Sequence, residues 1–382
     1  HSLEVSCVGR SLGAVVGREI IARHGLQQVE SGDFGAIVAA ACLAHDIGNP
    51  PFGHAGEDAI REWFRHSGLL ERHDLTPAQK ADFERYEGNA QGFRIVSRLQ
   101  SPANPGGLQL SSAVLATFTK YPRPSHLEAE LDGKSGKKFG FFQQDAEAFR
   151  QVAQSTGLVE RIPGTAWRRH PLAFLVEVAD DTCYLIVDLE DAARLGYVPY
   201  KDAECLLADL AGNTVNGGRL ERLHDPKERL EYLRAKAIGC LLESAAAVFL
   251  ENEDAILSGQ FDDELLESSP IAHPLQAILK LAKETIYTAR PALEIETAGF
   301  EVLGALLGLF TNAVEAGAGH TRLTTRERML LKLLPTQFLG HDGEPDADPY
   351  IRLLQVADFV AGMTDSYAVD MFRKLKGFDL PT

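Results

Sequence analysis

The sequence predicts an all-α protein, because apolar residues recur at three- and four-residue spacing along almost the whole chain and strand-like alternation is scarce. The 382 residues are 45% hydrophobic and 24% charged, the composition of a globular chain long enough for two or three domains or one large helical one. We expect one helical body with an N-terminal half over 1–200 and a C-terminal half over 201–382.

Each predicted helix follows from its own apolar pattern. In the N-terminal half the spacing predicts helices over 2–24, 35–47, 79–100, 109–119 and 171–195. In the C-terminal half it predicts helices over 201–211, 227–250, 253–258, 271–284, 298–316, 325–334 and 349–376. Gly- and Pro-rich turns fall at 48–51, 102–107, 121–124 and 133–136. The segment 121–169 is the least regular, and we expect its lysine-rich stretch 134–138 to form an exposed, mobile turn.

The charge balance is acidic, since 38 Lys and Arg residues against 54 Asp and Glu residues give a net charge of −16. This balance argues against a general binder of nucleic acids or anionic membranes, although it permits a local basic site. The longest apolar runs, such as 36–44 and 240–250, are far shorter than the roughly 20 residues that span a bilayer. We therefore expect no membrane partner.

Five cysteines stand far apart in apolar contexts, without a CxxC pair. This usage predicts reduced core residues in a cytoplasmic protein rather than a disulfide framework or a zinc site. The chain has no signal peptide, and because it opens on His1 rather than Met we expect further residues upstream.

His45 and Asp46 are the first candidates for chemistry, because they end an apolar run that reads GAIVAAACLA over 35–44. Three other His-Asp dipeptides lie in polar, loop-like stretches, where a solvated pair is the ordinary interpretation. A buried helix that ends in an imidazole and a carboxylate needs a neutralising partner, since an unpaired buried charge is costly. A divalent metal satisfies both groups. The alternative is a His-Asp hydrogen bond at the end of the helix.

Asp180, Tyr184 and Asp188 form the second candidate set within the apolar stretch 170–188. Their spacing of four residues places them on one face of a helix. A carboxylate, a phenol and a second carboxylate in one line offer a metal ligand, a flat ring and a hydroxyl acceptor. The alternative is an ion pair between Asp180 or its neighbour and Arg168 or Arg169.

Two weaker patterns complete the candidates. His54 and Glu57 are three residues apart, so one helical turn brings the acid to the imidazole and makes it a proton donor or base. Most such pairs are surface features. Lys120, Tyr121 and Arg123 place two cations beside an aromatic ring, which suits a phosphate, although the end of a helix favours cations anyway.

These residues together resemble a known family. His1, His45-Asp46 and Asp180 are similar to the H…HD…D ligand set of the HD-domain metal phosphohydrolases. The resemblance is closer to one branch, the bacterial deoxyguanosinetriphosphate triphosphohydrolases (dGTPases). It rests on HSLEVS at 1–6, AHDIGNPPFGHAGE at 44–57, YEGNAQGFR at 86–94, KYPRP at 120–124, the helix around Asp180, and AGMTDSYA at 361–368.

The resemblance implies a fold, a metal centre and a reaction. The fold would be an HD-domain core over 1–200, with additional helices over 201–382 that complete the pocket and form oligomer contacts. A divalent ion, Mn²⁺ or Mg²⁺, would be bound by His1, His45, Asp46 and Asp180, a donor set without thiolate. Water would attack the α-phosphorus of dGTP, with other dNTPs left open as substrates. His54, supported by Glu57, would handle the proton as a deoxynucleoside and triphosphate leave.

The resemblance also implies the contacts to substrate. Lys120 and Tyr121 would hold phosphates, Tyr184 would lie against the deoxyribose and exclude a 2′-hydroxyl, and Asp188 would accept from the 3′-hydroxyl. The predicted substrate-binding set also includes Asn89, Arg94 and Arg352. One departure from many relatives is Asn49, where others carry His, which removes one candidate acid or base.

Two other classes stay open at this stage. Another HD phosphohydrolase, such as a nucleoside monophosphatase or a phosphodiesterase, would not need the cations that a triphosphate requires, for which the candidates are Lys120, Arg123, Arg94 and Arg169. A non-catalytic nucleotide- or single-stranded-DNA-binding module would not need His54 and Glu57. The family resemblance implies a homo-oligomer, such as a hexamer, and single-stranded DNA as a regulator.

Overall fold

The computed structural model describes residues 1–286, 288, 290–319, 322–340 and 342–378. Within these residues the fold is helical apart from one two-stranded sheet, which confirms the predicted all-α class. The first helices are α1 Ser2–His24, α2 Ser31–Ala44, α3 Gly53–His66, α4 Leu69–Arg72, α5 Pro77–Glu84, α6 Gly88–Arg94, α7 Ser112–Phe118, α8 Ala146–Thr156 and α9 Ala173–Leu195. The later helices are α10 Tyr200–Ala211, α11 Gly217–Arg222, α12 Pro226–Glu251, α13 Glu253–Leu257, α14 Ala272–Leu281, α15 Arg290–Ala318, α16 Thr325–Leu333, α17 Pro349–Ala361 and α18 Asp365–Lys376.

Shorter elements connect these helices. Turns of π-helix occur at Ile95–Leu99 and Ala282–Ile286, and turns of 3₁₀-helix at Lys134–Gly136, Gln143–Asp145, Gly212–Thr214 and Thr336–Phe338. The strands β1 (Glu160–Ile162) and β2 (Ala166–Trp167) pair antiparallel. This hairpin falls in the segment that the sequence marks as least regular, and it leads directly into α9.

Two predicted helices are divided in the structure. The predicted helix 79–100 breaks between α5 and α6, where Glu87 is extended and the Gly88 backbone N–H donates to Glu57 Oε1 at 2.6 Å. The predicted helix 349–376 breaks between α17 and α18, where the Thr364 hydroxyl accepts from the Tyr367 backbone N–H and begins a new helix. In both places a side-chain contact to the backbone replaces the continuing helical ladder.

The stretch 134–138 is not the exposed turn that the sequence predicts. Ser135 is buried, and its hydroxyl donates to Asp262 Oδ2 at 2.9 Å. Lys134 Nζ lies 2.8 Å from Glu264 Oε1, so the turn is tied to the C-terminal half by an ion pair. The prediction was wrong because the partners of Lys134 and Ser135 lie more than a hundred residues further along the chain.

The expectation for the cysteines holds only in part. Cys42 and Cys183 are buried, whereas Cys7 and Cys205 are exposed and Cys240 is half-buried. Apolar neighbours in the sequence did not show that Cys7 and Cys205 lie on the exposed faces of α1 and α10.

Two hydrophobic clusters form the interior. The larger one includes residues of α1, α2, α7, α9, α10, α12 and α14, and the second joins α3 and α5 to α15, α16 and α17. Each cluster therefore contains residues from both sides of residue 200. The two halves are interleaved, and their division into domains stays a prediction.

Helix α15 contains the longest apolar stretch, Leu293–Ala318, which has the length and composition of a membrane-crossing helix. The apolar runs considered in the sequence missed it, because acidic residues such as Glu301 interrupt it. Half of its most apolar window is buried, and Leu303, Leu307 and Phe310 pack in the second cluster. A core helix of this kind meets the same criterion of length and hydropathy.

Helices α1 and α2 pack unusually closely because glycines line their contact. A Cβ atom on Gly13 would lie 2.9 Å from the Phe34 carbonyl oxygen and 3.0 Å from Gly35 Cα. The two helices run antiparallel, so the start of α1 lies beside the end of α2. This packing brings His1 to His45, whose ring centroids are 5.3 Å apart.

Candidate active site

The four predicted metal ligands converge where the start of α1, the end of α2 and the middle of α9 meet. His1 Nε2 lies 3.2 Å from Asp180 Oδ1 and 3.9 Å from Asp46 Oδ2. His45 Nε2 lies 3.1 Å from Asp46 Oδ2 and 3.2 Å from Asp180 Oδ1. The structure therefore gathers two imidazoles and two carboxylates around one point.

His45 is oriented by the backbone of α2. Its Nδ1 lies 2.7 Å from the Cys42 carbonyl oxygen, and because a carbonyl only accepts, Nδ1 carries the proton and Nε2 faces the carboxylates. Nε2 is buried and close to both carboxylates, yet it is in hydrogen-bond geometry with neither. Burial disfavours the charged imidazole, but Asp180 and Asp46 outweigh it and raise the pKa of His45 to about 10. Negative charge thus faces an unpartnered ring nitrogen, an arrangement that a divalent cation would neutralise.

The loop that follows α2 is held against α6. Asn49 Nδ2 donates to Asp46 Oδ1 at 2.8 Å, which leaves Oδ2 of the same carboxylate facing the histidines. A Cβ atom on Gly48 would lie 2.1 Å from both the Gly88 carbonyl oxygen and the Gly92 nitrogen. Only glycine fits at this crossing, so Asp46 is fixed by the contact between the loop and α6.

A cavity of about 250 Å³ opens beside the four ligands. Its lining residues are His45, Asp46, Asn49, His54, Asn89, Thr117, Phe118, Lys120, Tyr121, Lys138, Ala173, Val176, Glu177 and Asp180. The structure thus brings the predicted residues His54, Asn89, Lys120 and Tyr121 into one cavity with three of the predicted metal ligands. Burial raises the pKa of the Tyr121 phenol, so it faces the cavity as a neutral hydroxyl.

His54 lies on the first turn of α3, with Glu57 behind it. Its side chain is 82% exposed, whereas that of Glu57 is 3% exposed, and Nδ1 lies 3.5 Å from Glu57 Oε2. Glu57 raises the pKa of His54 above its ordinary value. Burial alone would raise the pKa of Glu57, but His54 and Lys138 outweigh it and lower that pKa. The carboxylate of Glu57 therefore favours the protonated form of the His54 imidazole.

Lys120 is positioned by a buried carboxylate on α9. Its Nζ lies 2.7 Å from Glu177 Oε1, and Arg169 Nη1 donates to Glu177 Oε2 at 2.9 Å. Arg169 also reaches Asp262 Oδ1 at 3.1 Å, and its side chain is buried. The predicted alternative, an ion pair between Arg169 and Asp180, is therefore not what the structure contains. Arg169 supports Lys120 from behind the cavity rather than facing a substrate.

Two charged cavity residues are absent from the set predicted by sequence. Glu177 lies three residues before Asp180 in the same largely apolar helix, so the signal that identifies Asp180 applies to it as well. Lys138 Nζ lies 3.3 Å from Glu87 Oε2 and 3.8 Å from Glu57 Oε2. It lies in the irregular segment, where no periodicity or motif indicates which way a lysine points.

Asp180, Tyr184 and Asp188 occupy successive turns of one face of α9, as their spacing predicts. Asp180 belongs to the cavity lining, and the other two residues lie beyond it. Tyr184 is 45% exposed, and Asp188 is half-buried. The line of residues is therefore present, while its contacts with a sugar stay a prediction.

The structure places two predicted substrate ligands away from the cavity. Arg94 is buried, with Nε 2.9 Å from Asp358 Oδ2 and Nη1 3.1 Å from Asp145 Oδ2. Arg352 is also buried, and its Nε lies 2.8 Å from Glu315 Oε1. The prediction that Arg94 and Arg352 line the substrate pocket was therefore wrong. Carboxylates already neutralise these guanidinium groups, which join distant helices.

A helical fold that gathers two histidines and two aspartates beside a polar cavity with two lysines defines a class, the HD-domain phosphohydrolases. The HD domain family model matches residues 1–129, which include His1, His45 and Asp46. HD domains are metal-dependent phosphohydrolases.

Relatives that match the whole chain specify the family. A deoxyguanosinetriphosphate triphosphohydrolase-like protein of Synechocystis sp. is 46% identical over 100% of this chain and 86% of that protein. A protein of the same description from Pseudomonas aeruginosa is 39% identical with the same coverage. A deoxyguanosinetriphosphate triphosphohydrolase of Yersinia enterocolitica is 28% identical over 98% of this chain and 86% of that protein. The chain therefore belongs to the family of deoxyguanosinetriphosphate triphosphohydrolase-like proteins.

Proposed function

We propose that this protein hydrolyses dGTP, and to a lesser extent other dNTPs, to the deoxynucleoside and inorganic triphosphate. The observation that carries the proposal is the convergence of His1, His45, Asp46 and Asp180 beside a cavity that also holds His54 and two lysines. Family membership supports the same reaction. The predicted homo-oligomer, regulation by single-stranded DNA and cytoplasmic location stay predictions.

The donor set fits a divalent metal ion. The ligand atoms of His1, His45 and Asp180 all lie within 4.8 Å of one another, and the buried Nε2 of His45 has no hydrogen-bond partner. Imidazole and carboxylate ligands suit Mn²⁺ or Mg²⁺, and no thiolate takes part. Such an ion would supply Lewis-acid stabilisation of the charge that develops on the phosphate oxygens.

His54 is the proposed proton donor to the leaving 5′ oxygen of the nucleoside. It is exposed to the cavity, and the buried carboxylate of Glu57 favours its protonated form. A general acid must hold its proton at the operating pH and release it as the bond breaks. Glu57 acts through His54 and is therefore a positioning residue.

Lys120 and Lys138 are the proposed partners of the phosphate oxygens, with Tyr121 and Asn89 as hydrogen-bonding groups. Each ammonium is already held by a buried carboxylate, Lys120 by Glu177 and Lys138 by Glu87. This support fixes the positive charges before substrate arrives, so little reorganisation is needed. Tyr184 and Asp188, on the next turns of α9, are proposed to contact the deoxyribose.

The direct test is to incubate the protein with each dNTP in the presence of Mn²⁺ or Mg²⁺ and to identify the products by anion-exchange chromatography. Deoxyguanosine and triphosphate are the expected products. The Asp46→Asn variant and the EDTA-treated protein are two controls, and neither is expected to turn over dGTP. Release of single phosphates from a nucleoside monophosphate would instead identify another HD phosphohydrolase. Nucleotide binding without any product would identify a non-catalytic module.

A further inference from the structure

A second groove, of about 360 Å³, lies beside the candidate active-site cavity. We call it the basic groove, because its lining contains six cationic side chains and a single carboxylate, that of Glu87. The cationic residues are Arg61, Arg65, Arg85, Arg123, Lys137 and Lys138. In a chain with a net charge of −16 such a local excess of positive charge stands out against the field of the whole molecule.

Most of this charge is not balanced within the chain. Glu87 is already shared by Arg61 Nη2 at 2.8 Å and Lys138 Nζ at 3.3 Å. Among the residues that the structure describes, no carboxylate lies within ion-pair distance of the other four cations of the groove. Elsewhere buried arginines such as Arg94 and Arg169 each contact two carboxylates. The groove therefore gathers four cations that have no carboxylate partner among the described residues.

Arg85 and Arg123 are held in place by backbone carbonyls rather than by counter-ions. Arg85 Nη1 and Arg123 Nη2 both donate to the Ser125 carbonyl oxygen, at 3.1 and 3.4 Å. Arg123 Nη1 also donates to the Gly136 carbonyl oxygen at 2.8 Å. Burial and the neighbouring charge of Arg85 lower the pKa of Arg123. Two guanidinium groups thus meet at one acceptor, and an anion in the groove would neutralise their charges.

The position of Ser125 is itself fixed from the interior. Its hydroxyl donates to Asp82 Oδ1 at 2.5 Å, and Tyr350 donates to Asp82 Oδ2 at 2.6 Å. The floor of the groove is therefore rigid, and its donors are arranged before any ligand arrives.

The basic groove adjoins the candidate active site through Lys138. This residue lines both the groove and the 250 Å³ cavity. Its ammonium lies between Glu57, which supports His54, and Glu87, which faces the groove. An anion that leaves the cavity past Lys138 enters a region of four unbalanced cations.

We propose that the basic groove is a binding site for a phosphate chain, and that its occupant is inorganic triphosphate leaving the active site. The assignment of the anion as triphosphate rests on the proposed function, whereas the existence of an anion site rests on the cations of the basic groove. Triphosphate carries several negative charges on three linked groups, and guanidinium forks match such oxygens geometrically. The phosphate chain of a second nucleotide has the same chemistry, and the test below distinguishes the two sources. Arg123, a predicted cation of the substrate pocket, thereby belongs to the groove instead.

Isothermal titration calorimetry with sodium tripolyphosphate, on the metal-free chain, tests the site directly. The double variant Arg85→Gln/Arg123→Gln is expected to raise the Kd by about tenfold or more, because two charge-assisted contacts are lost. The control Arg322→Gln/Arg326→Gln removes the same charge from an exposed surface and should leave the Kd unchanged. Equal affinity in the unmodified chain and the Arg85→Gln/Arg123→Gln variant would overturn the proposal, because triphosphate would then bind elsewhere.

A second variant guards against loss of folding, since Arg85 and Arg123 also support the backbone. Lys137 is exposed, so Lys137→Glu leaves the fold untouched while reversing one charge of the groove. We expect several-fold weaker tripolyphosphate binding and a shallower loss of affinity with added salt, because less electrostatic attraction is left for salt to screen. An unchanged Kd in Lys137→Glu contradicts the proposal by itself.

Titration with a dGTP analogue that resists hydrolysis identifies the source of the phosphate chain. If the analogue binds at one site per chain and the groove variants leave its affinity unchanged, the groove is assigned to free triphosphate. A second site that these variants abolish assigns it to a nucleotide and overturns the assignment to product. Failure of the proposed function is recognised separately, because chromatography of dGTP products with the unmodified chain does not depend on the groove.

Discussion

The proposed role of His54 as general acid predicts how activity depends on pH. The proximity of Glu57 raises the pKa of His54, while the charge of Lys138 opposes it and that of Glu87 supports it. A general acid is active while it is protonated, so activity falls as the pH rises through the raised pKa. The high-pH limb of the rate profile is therefore the observable that reports His54.

We predict that Glu57→Gln moves this high-pH limb to lower pH, because the imidazole loses the charge that favours its protonated form. The measurement is kcat/KM for dGTP as a function of pH. Asp58→Asn, which removes a neighbouring carboxylate that is 63% exposed, should leave the limb in place. A limb that stays fixed in Glu57→Gln excludes His54 as the titrating group.

Tyr184 is proposed to contact the deoxyribose, which predicts that it contributes to sugar selection. We predict that Tyr184→Ala lowers the preference for dGTP over GTP by about tenfold, since a site that no longer blocks a hydroxyl loses roughly 1–3 kcal/mol of discrimination. The ratio of kcat/KM for the two nucleotides measures it. Tyr197→Ala is the matched control, because the two tyrosines are 45% and 44% exposed. If both variants keep the parent ratio, sugar selection lies elsewhere in the pocket.

At the scale of elements, the contact between α1 and α2 determines whether the ligands meet. We predict that Gly13→Ala lowers the free energy of unfolding by about 1–3 kcal/mol, because its Cβ would press on the backbone of α2 at 2.9 Å. It should also weaken binding of Mn²⁺, since a displaced α1 carries His1 away from His45.

A second glycine-to-alanine substitution, at Gly32 in α2, is the control for this prediction. A Cβ on Gly32 meets no atom within 4 Å, so Gly32→Ala should stabilise the helix by up to about 1 kcal/mol. Urea unfolding and metal titration of both variants compare the two sites. Equal stability changes at Gly13 and Gly32 would show that the helices do not depend on the close approach.

At this scale the sequence predicts the features that depend on residues close together along the chain. The end of α2 at His45 and the line of residues along α9 follow from apolar runs and spacing. The position of Arg94 could not be predicted in the same way, because the carboxylates that pair with it, Asp145 and Asp358, lie 51 and 264 residues further along the chain. Lys138 escaped prediction for a related reason, since an irregular loop gives no period from which a direction follows. Helix α3, which carries His54, was recognised only as one turn because its start is a glycine turn rather than an ordinary cap.

At the scale of the whole molecule, the ion pairs of Arg94 join α6, α17 and the segment before α8. We predict that Arg94→Met lowers the free energy of unfolding by about 3–5 kcal/mol, because Asp358 is left buried without a counter-charge and Asp145 keeps only that of Arg98. Burial raises the pKa of Asp358, so protonation relieves this penalty and the deficit should shrink as the pH falls.

Urea denaturation across a pH series measures this deficit. Arg326→Met changes an exposed arginine of α16 and should cost no more than about 0.5 kcal/mol at any pH. A deficit in Arg94→Met that is small, or that grows toward acid, contradicts the assigned role of the ion pairs.

The separation of the four ligands along the chain has a thermodynamic consequence. His1 and Asp180 lie 179 positions apart and meet only in the folded protein. An ion that they share therefore has little affinity for the unfolded chain and adds about 2.7 kcal/mol to stability at a concentration of 100 times its Kd. Melting curves recorded with each divalent ion, with Asp180→Asn as reference, should rank the metals before any substrate is known. Metal supply and protein lifetime in the cell are thereby coupled, because a chain without its ion is also the chain that unfolds first.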